Sequence, residues 1–422
     1  MSDQLQPRRP LRLAVTTPWY PGSNNPFAGV FVLHAIEAVQ SVDPGAVEAT
    51  IYHAEDWPTP IDPVFSRVAR WAMRTMTDAS HDARPRTVRE GTLHRVRVPS
   101  RPGRGFLRHA EDHVAAVRRI LPDGTIHADV VHAHEGLFGG LVATRLAAPE
   151  VPIVVTEHDT RLRKLLSAPE ARAAYGEILE RASRFYAVSE MLADQVRGYV
   201  PMLAHKVEAL PNAVAFDALP MREEQVTSLD RWLYVGRLLE HKGVMRLVTA
   251  FAECARTRPR LRLTIIGGGP LGTALQARAE ELGVADRVSF RGPVAHEEVQ
   301  RAMAEHDLLV HLSERETFGM TLVEAVSSGL PVLATRSGGP QETMAGLGTK
   351  AGRLIEVGTD EQGRDIEPVV EAFAQMEAEI ADLDLPWARA QLYDRYSQHS
   401  VGSRLLSVYR ELASARGEVE KR

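Results

Sequence analysis

The chain has 422 residues, 44% of them hydrophobic, which suits two domains with full cores. A formal net charge of −5 excludes a general nucleic-acid binder, and one cysteine, Cys254, excludes an internal disulfide. No apolar run reaches the roughly 18 residues of a membrane-spanning helix. The N-terminal MSDQLQPRRP is basic without a signal-type apolar core, so a cytoplasmic protein is expected.

Residues 11–17 (LRLAVTT) read as a buried strand, followed by a Pro/Gly/Asn loop and a helix beginning near Gly29. Short apolar runs follow at 49–53, 130–133, 153–156 and 184–188, several separated by helical patterns such as 139–147 and 171–182. The stretch 65–119 is basic, with 13 arginines against five acids. It reads as a solvated face or loop, with an amphipathic helix at 65–76 suited to an anionic membrane surface. After a proline-rich link at 201–230 the rhythm restarts at 232–235, 261–266, 287–290, 308–312, 331–334 and 352–355. Strands alternating with helices predict α/β architecture: two doubly wound domains with parallel sheets, joined near 205–225. The tail 386–415 is expected to be one amphipathic helix, with Trp387, Leu392, Tyr396, Val401, Leu405, Val408, Tyr409 and Leu412 on its apolar face.

Ligands in such folds bind beyond the carboxyl ends of the strands. Glu316 and Glu324 bracket a segment that reads as an acid, the turn at Gly319 and the opening of a helix, expected from Thr321 to Ser328. Free amides at that opening suit a phosphate, and carboxylates suit sugar hydroxyls. Arg237 and Lys242, five residues apart after a strand, suit a diphosphate. The turn Ser337-Gly338-Gly339 allows close backbone approach to a ligand. Gly267–Gly272 satisfies GxGxxG, but Pro270 lies inside it and no acid ends the next strand. It reads as a tight turn rather than a dinucleotide site. Gly29 opens a helix whose amides suit a phosphate. His132 and His134 share one strand face, but no further ligand accompanies them, so no metal site is expected. His134, nearer the loop, is the candidate for a substrate hydroxyl, and His132 for the core.

Taken in order, PWYP…GVF (18–31), DVVHAHEG (129–136), TEH (156–158), LPNAV (210–214), VGRLLEHKG (235–243), IIGGGP (265–270), VSFRGPV (288–294), the Glu-x7-Glu segment and PVLATRSGGPQE (331–342) resemble the group 1 family of retaining nucleotide-sugar glycosyltransferases. The resemblance implies the GT-B fold, two Rossmann-like domains with the donor site in the interdomain cleft. Residues 1–208 would form the acceptor domain and 209–385 the nucleotide-sugar domain, and 386–422 would be a helix crossing back. It also implies roles. Arg237 and Lys242 would neutralise the donor diphosphate, Glu316 would hold the transferred sugar, and Glu324 would hold the ribose. Amides of Phe318, Gly319, Met320, Thr321 and Leu322 would contact sugar and phosphate. Gly29 would approach the diphosphate, His134 would hydrogen-bond the donor sugar, and the backbone at Arg291 would border the base. The chain departs from the family's pattern at Ala28-Gly29, Asn212-Ala213-Val214 and Val357-Gly358-Thr359-Asp360, without losing a charged group.

The expected reaction is retaining transfer from a UDP- or GDP-sugar to a small metabolite, with no cofactor, no metal and no nucleic-acid partner. A lipid-linked acceptor at the membrane surface is one alternative, and a nucleotide-sugar epimerase on the same fold is another.

Overall fold

The computed structural model describes residues 9–22, 28–58, 84–100, 103–358 and 365–419. Its internal contacts divide the chain into two units, Met1–Ala213 with Val401–Arg422, and Val214–Ser400. The expected helix at 65–76 and the departure at Thr359-Asp360 lie outside the described residues.

The first unit holds an eight-stranded sheet in the order β3-β4-β2-β1-β5-β6-β7-β8. These strands are β1 (Leu11–Thr17), β2 (Val47–Pro58), β3 (Arg86–Val88), β4 (Gly91–Ser100), β5 (Val130–His134), β6 (Ile153–Glu157), β7 (Arg184–Ala187) and β8 (Val207–Ala209). All neighbours pair in parallel except β3 with β4. β5 and β6 are buried along their whole length, as strands covered on both faces must be. The chain leaves β1 toward β2 and later returns on the other side at β5, so the strand order reverses between β1 and β5. That reversal opens a crevice at the carboxyl ends of β1 and β5. Leu13, Val15, Val32, Ile36 and Ile51 form the core with Val401, Leu405, Leu406 and Tyr409 from the end of the chain.

The second unit holds a six-stranded parallel sheet in the order β11-β10-β9-β12-β13-β14. Its strands are β9 (Arg231–Val235), β10 (Arg262–Ile266), β11 (Val288–Gly292), β12 (Leu308–His311), β13 (Val332–Thr335) and β14 (Gly352–Ile355). Trp232 is fully buried, with Phe251 and Phe373 edge-on to its ring. Here the order reverses between β9 and β12. No helix among the described residues is long and apolar enough to cross a membrane.

Three expectations change. The tail is two helices, Leu385–Tyr396 and Gln398–Val419, rather than one. Ser397 breaks them: its backbone is extended, it bridges Val214, and its hydroxyl accepts from the Ser400 amide as a cap. Residues up to Ser400 therefore stay with the second unit, and only Val401 onward packs in the first. The described part of the arginine-rich stretch is ordered secondary structure rather than a loop, though Arg86, Arg89 and Arg108 are exposed on it, as a solvated face requires. It carries β3, β4 and the helix Phe106–Arg118. There Arg95 donates to the Pro21 carbonyl at 2.6 Å and pairs with Glu55 at 3.5 Å. Finally, the helix after Gly319 runs Met320–Ser327, one residue earlier than expected.

Candidate active site

In the second unit the loops after β9 and β12 meet at the reversal of strand order. Gly243 makes the meeting close. Its φ is +66°, and a Cβ there would lie 1.9 Å from the Leu312 carbonyl oxygen. Only glycine tolerates both the left-handed backbone and that contact. The preceding residue, Lys242, reaches Glu316 with Nζ 2.6 Å from Oε1. His311, at the end of β12, donates from Nε2 to the same oxygen at 2.7 Å. Both Lys242 and Glu316 side chains are mostly buried. The loop after β13 fixes the Glu316 backbone: its amide donates to the Ser337 carbonyl, and its own carbonyl accepts from the Gly339 amide.

Burial works to raise the Glu316 carboxyl. The Lys242 charge beside it, with the His311 hydrogen bond, overcomes that and holds it well below the usual carboxylate range. One carboxylate oxygen thus takes two donors, and Oε2 has no hydrogen-bond donor among the described residues. Two of the three ammonium protons of Lys242 are likewise left for an anion.

Gly319 precedes the helix Met320–Ser327 with φ +93°. Its nearest contact from a built Cβ would be an ordinary 3.5 Å to Pro340, so the left-handed backbone, not crowding, calls for glycine. Among the described residues the amides of Phe318, Gly319, Met320 and Thr321 have no protein acceptor. The Leu322 amide is different from the expectation: it already donates to the Gly319 carbonyl at 3.0 Å, inside the first turn. The amides left open, as an anion would need, are therefore those of Phe318 to Thr321. Glu324 lies one turn further and is buried, and burial pushes its carboxyl up to about 7.

Arg237 is exposed in the loop after β9, and Arg291 is exposed on β11 at the sheet's edge. Neither side chain is drawn to Glu316. The glycine run after β10 makes a turn into the helix Gly272–Glu281, as expected of a structural loop.

The first unit gathers a second polar cluster beyond β1, β5 and β6. Gly29 caps the helix Val30–Val42 with φ +67°. His132 is satisfied, its ring bonded to the Tyr409 hydroxyl at 2.6 Å and to Thr156 Oγ1 at 2.8 Å. His134 is fully buried. Its Nδ1 lies 3.0 Å from His158 Nε2, and its Nε2 has no partner among the described residues. Phe31 stacks on His158 at 4.0 Å between centroids. Glu157 braces the cluster, with Oε2 accepting from Tyr175 and Gly136 and Oε1 from the His158 and Asp159 amides. Glu135 alone among described non-glycine residues has positive φ, 65°, and starts a π-helical turn, Glu135–Gly140. Burial, with Asp159 and Glu157 adjacent, raises its carboxyl well above the ordinary range. Asp159 carries a bidentate Arg161.

Sequence reasoning did not assign His311, Glu135, Asp159 or Arg161 a role. A lone histidine ending the apolar run LLVH was the only signal for His311.

A family model described as Glycosyl transferases group 1 matches residues 222–372, and one described as Glycosyltransferase Family 4 matches residues 72–217. The gpi3 subunit of the phosphatidylinositol N-acetylglucosaminyltransferase of Schizosaccharomyces pombe is 32% identical over 36% of this chain, and the match spans only 33% of that relative's length. The 2-deoxystreptamine glucosyltransferase of Streptomyces kanamyceticus is 26% identical over 67% of this chain and 77% of its own. Among solved structures, sucrose-phosphate synthase from Thermosynechococcus elongatus shares the fold with a TM-score of 0.71 at 19% identity, covering 97% of this chain and 100% of that one.

Proposed function

The chain belongs to the group 1 glycosyltransferases, and from that premise we propose that it transfers a sugar from a nucleoside diphosphate, UDP or GDP, to a small polar acceptor with retention of configuration. Its two doubly wound units have the GT-B fold. The observation that carries the reading is Glu316 held ionised by Lys242 and His311 beside the open amides of Phe318 to Thr321. A carboxylate for hydroxyls next to an ammonium and a helix N-terminus for phosphate matches a ligand that is both sugar and diphosphate.

In the reaction the anomeric carbon–oxygen bond to the diphosphate breaks, and the acceptor hydroxyl forms a new bond on the same face. The acceptor proton passes to the leaving phosphate oxygen, so no side chain need serve as general base. Negative charge grows on the diphosphate, where Lys242, the amides of Phe318 to Thr321 and Arg237 act. Glu316 Oε2 orients the transferred sugar, and Glu324 holds the ribose hydroxyls. In the first unit, taken by itself, His134 Nε2 is the candidate donor or acceptor for a sugar hydroxyl, and the backbone at Gly29 the candidate for a phosphate. The cations and amides make a divalent ion unnecessary for leaving-group departure.

A small acceptor is supported by the Streptomyces relative, named for 2-deoxystreptamine and matched over 67% of this chain. The phosphatidylinositol-named relative matches over 36%. The test is nucleoside diphosphate release from UDP- and GDP-sugars with polyhydroxylated acceptors, in EDTA, with product anomers read by NMR. Retention and acceptor dependence are expected. Inversion would overturn the stereochemical reading, and sugar isomerisation without acceptor would make the protein an epimerase.

A further inference from the structure

We propose that Asp56, His109 and His113 form a binding site for one divalent transition metal of the Zn2+ type. The site lies in the first unit and is independent of the glycosyl-transfer reading. His109 and His113 are four residues apart on the helix Phe106–Arg118, so their rings share one face. Both Nε2 atoms converge on one oxygen, Asp56 Oδ1, at 2.7 and 2.9 Å. One ligand atom from each residue lies within 4.8 Å of the other two. Asp56 sits near the end of β2, three residues past His53, which pairs with Thr17 at the end of β1. The triad therefore ties the long overhang of β2 to the helix.

Zn2+ takes imidazole nitrogen and carboxylate oxygen at about 2.0–2.2 Å, which sets ligand atoms about 3.3 Å apart in a tetrahedron. Opening the two contacts by about half an ångström accommodates the ion. In exchange, each ring moves its proton to Nδ1 and presents the Nε2 lone pair. Two imidazoles and a carboxylate favour Zn2+, Co2+ or Ni2+ over the oxygen-seeking Mg2+ and Ca2+. His113 is buried, with the Phe138 ring 5.2 Å from its own. The Asp56 side chain is 40% exposed, so the remaining coordination position faces water and can take an oxygen ligand.

Phe138 also lies edge-on to His109 and belongs to the π-helical turn that begins at Glu135. Metal binding would thereby stiffen the turn following His134. The sequence reading missed the triad because Asp56 and the histidine pair are some fifty residues apart and the histidines lie inside the arginine-rich stretch.

The test uses the full chain, without an affinity tag, dialysed and titrated with Zn2+ alone. Metal content after desalting and the visible absorption of the Co2+ form are the readouts. The expected result is one metal per chain, with affinity lowered at least tenfold in Asp56→Asn and in His109→Asn while circular dichroism is unchanged. His113→Gln should abolish binding. Because that buried position can also impair folding, the two more accessible variants decide. Binding unchanged in both Asp56→Asn and His109→Asn, or no stoichiometric uptake by the parent chain, would overturn the site.

Discussion

The Lys242–Glu316 contact does two things that mutation separates. Lys242→Ala removes an ammonium from a developing anion, which should lower kcat by roughly 10²–10³. It also leaves Glu316 buried without its counter-ion, which should cost about 3 kcal/mol of stability in denaturant titration. Adding Glu316→Gln should recover most of the stability and none of the turnover. If the double variant is no more stable than Lys242→Ala, the pair is not a buried ion pair. Glu324 makes a pH prediction. Its folded carboxyl is raised to about 7 from an ordinary 4.5 by burial. Between those values the folded state binds the extra proton, so the contribution of Glu324 to stability is fully present below pH 4.5 and is lost as pH rises through about 7. The full loss is roughly 3 kcal/mol. Glu324→Gln should abolish that contribution, so unfolding free energies of parent and variant should diverge as pH rises from 5 to 8. Ribose hydroxyls are best accepted by the ionised carboxyl. Affinity for a nucleotide-sugar, whose diphosphate does not titrate in this range, should therefore tighten with pH in the parent and stay flat in the variant.

Secondary elements matter here chiefly through their ends. The loop after β9 delivers Lys242 because Gly243 can lie against the Leu312 carbonyl in left-handed conformation. Gly243→Ala should destabilise the chain by at least about 2 kcal/mol. It should also displace Lys242 from Glu316, so that turnover falls toward that of Lys242→Ala although no charged group has been removed. Stability and kcat near parental values would show that the loop accommodates a side chain. This kind of contact was invisible in the sequence, where Gly243 is one glycine after a lysine. The strands β5, β6, β12 and β13 were legible because burial on both faces writes a continuous apolar run. β3 and β4 were not, because their arginines suggest a solvated surface; Arg86 on β3 is indeed exposed, whereas Arg95 on β4 closes on the Pro21 carbonyl and Glu55. Lys242 and Glu316, which the structure pairs, were both singled out from type and spacing. The partner that joins them, His311, was not, because a histidine ending a buried strand usually belongs to the core. The Leu322 amide shows a similar limit: sequence shows where a helix opens but not which amide makes its first internal hydrogen bond.

At the scale of the whole molecule, the break at Ser397 divides the tail between two cores. Val401, Leu405, Leu406 and Tyr409 are each at most 2% exposed within the first unit. Gly402 there packs so closely on the helix Val30–Val42 that a built Cβ would lie 2.0 Å from the Ala38 carbonyl oxygen. Tyr409 adds a hydrogen bond to the buried His132. Burying four such side chains contributes roughly 6–12 kcal/mol, comparable with the entire stability of an ordinary domain. The first unit is therefore a discontinuous domain that the end of the chain completes. A fragment of residues 1–213 should lack cooperative unfolding and bind a hydrophobic dye. The same fragment joined through a flexible linker to residues 398–422 should unfold cooperatively and exclude the dye. Tyr409→Phe in the full chain is the finer probe, expected to cost about 1–2 kcal/mol by leaving the His132 nitrogen without its partner. A cooperatively folded 1–213 fragment would mean that the last helix only decorates this unit. Failure of the linked fragment as well would mean that the unit requires residues 214–400 to fold.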